Sequence, residues 1–106
     1  MPAFDSYHIQ IRGKGRSTTF ARAVVLLRTA TAPVGEIHFW DSIPPNVLDS
    51  MTAGGPVMIL PTSMFAGVLD TLRQEGPLRI EMLGSGETAH AVLGTGGSEP
   101  VGEEET

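Results

Sequence analysis

The sequence predicts an α+β domain, a curved and mostly antiparallel sheet of about six strands with one amphipathic helix on one face. Three kinds of observation lead there. Apolar and polar residues alternate in several short runs, one longer run repeats with a helical period, and glycine or proline punctuates the boundaries. The chain of 106 residues is long enough for one core and too short for a two-domain cleft. Residues 1–94 therefore read as a single domain and residues 95–106 as a tail.

Tyr7, Ile9 and Ile11 alternate with His8, Gln10 and Arg12, the two-residue period of a half-buried strand. Gly13, Lys14 and Gly15 supply a turn, and residues 18–29 return as a second strand rich in Thr, Val and Leu. In it Phe20, Val24 and Leu26 share one parity with Arg22 and Arg28, while residues 23–27 are apolar at both parities, as in a strand covered on both faces. The two segments form an expected hairpin.

Residues 36–40 read as a third strand, with Ile37 and Phe39 on one face and Glu36, His38 and Trp40 on the other. A long connection follows over residues 41–55, interrupted by Pro44-Pro45 and Gly54-Gly55, in which residues 46–51 are expected to form a helical turn. Residues 57–60 make a short apolar fourth strand.

The helix is expected over residues 63–75. Met64, Phe65, Val68, Leu69 and Leu72 form one stripe, Thr62 or Ser63 stands as N-cap, and Gly76-Pro77 is the stop. Leu78, Ile80 and Met82 alternate with Arg79 and Glu81 as a fifth strand, and Gly84-Ser85-Gly86 turns the chain into a sixth over residues 88–93. From Gly94 on, the chain is Gly, Ser, Thr and Glu with a lone Pro and Val. Such a composition buries too little apolar area to order itself, so an acidic disordered tail is expected. Four strands followed by a helix resembles the layout of Whirly and PUR-type single-strand binders, a topological likeness that implies nucleic-acid binding.

Composition bounds the function. The 41% hydrophobic fraction belongs to a folded chain. Without cysteine there are no disulfides or thiolate metal sites, which fits a reducing cytoplasm. The first residues carry neither a basic nor an apolar leader pattern, and the longest apolar run, about five residues, falls far short of the ~20 needed to cross a bilayer. A soluble, cytoplasmic protein with no membrane contact is expected.

Charge is segregated along the chain. Residues 1–30 carry five cations and one carboxylate, a local +4, whereas residues 31–106 carry two cations and eleven carboxylates, a local −9, giving the overall −5. Arg12, Lys14, Arg16 and Arg22 around a glycine turn, with Tyr7 and Phe20 nearby, combine cations for phosphates with aromatic faces for bases. The same cations also suit an ordinary solvated hairpin end that discourages edge pairing. Trp40, with Met58 and Leu60, falls on the parity opposite the core, where a second subunit is one covering and residues 41–55 are another.

Catalytic signatures fail in turn. Gly13-Lys14-Gly15-Arg16-Ser17 lacks the phosphate-loop spacing and leads into a strand, and no Gly-x-Ser-x-Gly is present. His8, His38 and His90 show no metal-ligand spacing, although all sit on the polar parity and meet if their strands are neighbours. Neither a cofactor nor a metal is expected. The expected function is a non-enzymatic binding or assembly module, oligomeric, that meets an anionic partner, either nucleic acid or an acidic protein surface. The alternatives are a purely structural oligomer subunit or protein–protein adaptor, and a small pocket enzyme using His38 and Asp41.

Overall fold

The computed structural model describes residues 3–13, 20–74 and 78–95. In chain order the strands are β1 (Ala3–Phe4), β2 (Ser6–Ile11), β3 (Ala23–Arg28), β4 (Pro33–Trp40), β5 (Ser50–Thr52) and β6 (Gly55–Pro61), followed by helix α1 (Phe65–Gln74), β7 (Leu78–Leu83) and β8 (His90–Thr95). They form a five-stranded sheet in the order β2-β3-β4-β6-β5 and a three-stranded sheet in the order β1-β7-β8. The class is α+β as the periodicity implies. The division into two sheets and the parallel pairing of β4 with β6 are not written in any one strand's pattern.

That parallel pair has a physical origin in the connection. Parallel neighbours need a crossover of about a dozen residues or more, and residues 41–54 supply it. The expected helical turn over residues 46–51 is absent from this segment. Instead the Val47 N–H donates to the Pro44 carbonyl at 3.0 Å, and Ser50–Thr52 pairs antiparallel with β6. The Thr52 hydroxyl fixes that hairpin, accepting from the Gly54 N–H at 3.1 Å and donating to the Gly55 carbonyl at 2.9 Å. Gly55 has φ +107, where a Cβ would run into the Val34 carbonyl, so only glycine closes this turn without strain.

The main core lies between the five-stranded sheet on one side and α1 with the second sheet on the other. Val25, Leu27, Ile37 and Phe39 from the large sheet meet Val68, Leu69 and Leu72 of α1, Leu78 and Ile80 of β7, and Ala91 of β8. Phe39 packs edge-on to Phe65 with ring centroids 5.0 Å apart, an arrangement favoured by the ring quadrupoles. Of the expected helical stripe, Met64 is exposed because a 3-10 turn at Thr62–Met64 precedes the helix. Neither Thr62 nor Ser63 caps that turn. Its N-cap position is Pro61, with no side-chain hydrogen bond.

Met58 and Leu60 require a correction. The register Ile37↔Met58 and Phe39↔Leu60 puts both on the core face, where Met58 is buried and Leu60 packs against the core. Within an all-apolar strand, parity alone does not fix which side faces in. The reverse face of the sheet carries a smaller cluster of Ala21, Val24 and Trp40, with Leu26, Val47 and Ile59 against it. Trp40 is thus on the face opposite Phe39 and is covered from within the chain, in part by Val47 of the crossover.

Thr95 ends β8 opposite Leu78 and so belongs to the sheet rather than the tail. The remainder of the expected tail, the Gly76-Pro77 stop, and Lys14 with Arg16 lie outside the described residues. Among the described residues no helix is long and apolar enough to cross a membrane.

Candidate binding surfaces

The basic end of the sheet is built by the β2–β3 pair. The Arg12 N–H donates to the Arg22 carbonyl at 2.7 Å, whereas the Arg22 N–H turns to β4, so Arg22 sits at a break in alternation between Ala21 of the reverse-face cluster and Ala23 of the main core. The Arg22 guanidinium is paired with Asp41, whose Oδ2 lies 2.8 Å from Nη2. That pair remains open to water, the side chains being 33% and 58% exposed. Asp41 reaches Arg22 because the Arg22 N–H donates to the Phe39 carbonyl at 2.7 Å, holding the β3 entry beside the end of β4. Arg12 is exposed.

Tyr7 and Phe20 are the other described members of the expected site. Tyr7 points to the opposite face and packs against the main core, because odd positions of β2 pair with buried Leu27 and Val25. It is not a stacking platform beside Arg12. Phe20 is half-buried. Arg28 pairs with Ser6 at the far end of the ladder, about 20 Å along the strand from Arg22 at the usual rise per residue.

The three histidines do not gather. His8 and His38 share the reverse face but lie on strands separated by β3, and His90 belongs to the second sheet, its Nδ1 at 2.7 Å from the Thr88 carbonyl. His38 Nε2 lies 2.7 Å from Glu36 Oε1, while Asp41 is held by Arg22. The pair proposed for a pocket enzyme is therefore engaged with two different partners. Among the described residues no group of three or more His, Asp and Glu is placed to hold a metal ion.

Two features were not legible as functional positions. Asp49 accepts the backbone N–H of Ile59 at 2.7 Å and that of Ala91 at 2.8 Å. Beside it lies a cavity of about 350 Å³ whose lining includes Ile43, Val47, Leu48, Ile59 and Glu87. Ile43 and Leu48 are exposed at its rim. A lone aspartate in a long connection gives no periodic signal, so only the fold shows what it bridges.

No family model, curated protein or solved structure matches the chain.

Proposed function

We propose that this chain is a non-enzymatic binding and assembly module that meets an anionic partner at the end of the main sheet where β2 gives way to β3. The observation that supports this most directly is the backbone hydrogen bond from the Arg12 N–H to the Arg22 carbonyl. It brings the backbones of two cationic residues together at the two ends of the segment that carries Lys14 and Arg16. A concentration of like charge is relieved by an anion, and single-stranded nucleic acid is the sharpest version of that partner. The packing of half-buried Tyr7 against the core moves the weight of the reading from base stacking to phosphate contact. In this reading the module is homo-oligomeric, and the cysteine-free composition suits a reducing cytoplasm.

A second reading has its own support. Arg22 already takes a carboxylate partner within the chain, and an acidic protein surface offers the same chemistry.

The test is fluorescence anisotropy of short single-stranded DNA and RNA over a range of salt. Binding is expected with a log–log slope near −0.7 per phosphate contacted, weakened when Arg12, Lys14, Arg16 and Arg22 are replaced together by Ala. Absence of binding at low salt would reject the nucleic-acid version. Salt-sensitive capture of an acidic protein by the same four cations would then support the second.

A further inference from the structure

Among the described residues no strand pairs with the outer edge of β2. The bonding pattern of that edge follows from its inner side. Arg12 bonds to Arg22, and the register continues through Gln10↔Val24, His8↔Leu26 and Ser6↔Arg28. Bonded and non-bonded pairs alternate in an antiparallel ladder. Tyr7, Ile9 and Ile11 therefore turn their N–H and C=O groups outward.

Natural sheets blunt such edges with Lys, Pro, bulges or inward charges. The run Ser6–Ile11, SYHIQI, has no charge, proline or glycine. Ile11 stands on the core-facing parity yet is 72% exposed.

We propose that a second copy of this chain pairs antiparallel with β2 about a twofold axis at Ile9, fusing the two large sheets into one. The register is selected by the edge itself. With Ile9 opposite Ile9 of the other copy, Tyr7 faces Ile11 and Ile11 faces Tyr7, so each outward-facing residue of the strand exchanges both of its bonds. Shifting the axis toward His8 would oppose Ile11 with Asp5, whose N–H is already given to the Arg28 carbonyl at 3.1 Å. The favoured register also covers exposed Ile11 with a tyrosine ring on the core-facing side. On the other side it sets His8 beside Gln10, with no like charges opposed.

This pairing changes the charged face. Arg12 falls opposite Ser6 of the other copy, and that Ser6 is already paired with its own Arg28. One row across three strands then reads Arg28, Ser6, Arg12, the first two residues from one copy and the last from the other, and the twofold axis makes the row twice. The distant Arg28 of the monomer becomes part of the basic surface. Only this consequence rests on the anionic-partner reading; the pairing itself does not.

The experiment is sedimentation of the purified chain at micromolar concentration without any polyanion, beside two variants. Wild type is expected at twice the chain mass. Ile11→Pro, whose lost N–H points outward and leaves the β2–β3 ladder intact, is expected as a folded monomer with its circular dichroism retained. The chain has no cysteine, so Ile9→Cys gives an independent readout. Bonded antiparallel partners sit about 5.5 Å apart between Cα atoms, within disulfide range, and mild oxidation is expected to yield a covalent dimer. Leu48→Cys, exposed on the crossover, is the control. A wild-type monomer, a dimer that survives Ile11→Pro, or an Ile9→Cys chain that oxidises no faster than the control would overturn the proposal. A dimer that binds no polyanion would sink only the anionic-partner reading, and a monomer that binds one would sink only the pairing.

Discussion

The Asp49 carboxylate accepts the Ala91 N–H at 2.8 Å while its other oxygen accepts the Ile59 N–H at 2.7 Å, tying a strand of one sheet to a strand of the other. β5 pairs with β6 only between Gly55 and Val57, so Ile59 lies beyond its reach, and Asp49 is the residue just before β5. Each bond to the carboxylate is charge-assisted. Removing the carboxylate leaves two part-buried donors unsatisfied, so Asp49→Ala is expected to cost about 2–4 kcal/mol. Asp49→Asn keeps one acceptor and should lose roughly half of that. Urea unfolding followed by Trp40 fluorescence measures both, and an unchanged midpoint for Asp49→Ala would remove its role as the link between sheets.

Two glycines predict opposite signs. A Cβ at buried Gly35 would meet Ile80 Cγ2 of β7 at 2.8 Å and the Pro56 carbonyl of β6 at 2.9 Å. Gly35→Ala is therefore expected to destabilise by about 1–3 kcal/mol through overpacking. Gly67 lies on the exposed side of α1 with open space around its Cα, and Gly67→Ala should stabilise by about 0.5–1 kcal/mol through backbone entropy and helix propensity. Thermal melts of the two variants should move in opposite directions; a shared direction would mean that one of these packing environments is misplaced.

The difference between what was and was not legible follows from the range of each signal. Period-two alternation located β2, the centre of β4, and β7, since Tyr7, Ile37 and Ile80 each face a core that covers one side of the strand. Helical spacing found Val68, Leu69 and Leu72 for the same reason. Met58 and Leu60 were misplaced because their strand is apolar at every position, so its facing is decided by the register with β4 rather than by its own pattern. Ser50–Thr52 is too short to show a period. Arg12 and Arg22 were legible as a basic turn, but the separation of Arg28, the inward turn of Tyr7 and the bridge made by Asp49 depend on long-range pairing.

Trp40 is 8% exposed, and its indole Nε1 has no hydrogen-bond partner among the described residues. An orphaned buried donor is a cost that an apolar ring does not carry. Trp40→Phe is therefore expected within about 1 kcal/mol of wild type, whereas Trp40→Ala should lose about 3–5 kcal/mol by opening a cavity against Ala21 and Val24. Far-UV circular dichroism in urea compares them without relying on the chain's only tryptophan. If Phe proved as damaging as Ala, the indole N–H would have a partner in solution, and the reverse face of the sheet would need another covering group.

The Arg22–Asp41 pair gives the anionic-partner reading a test of sign. At 2.8 Å Asp41 withdraws one cation from the basic end, yet an exposed pair contributes only about 0–1 kcal/mol to stability. Asp41→Asn should thus leave the melting temperature nearly unchanged while raising the local charge by one. Single-stranded DNA is then expected to bind more tightly at low salt, with the log–log salt slope steeper by up to about 0.7 if the freed guanidinium takes one phosphate. Arg22→Ala should act in the opposite sense on affinity and leave the slope no steeper than wild type. Equal affinity in wild type and both variants would place the contact away from Arg22, and the basic end would be a solvated hairpin terminus whose charge serves only to keep the sheet soluble.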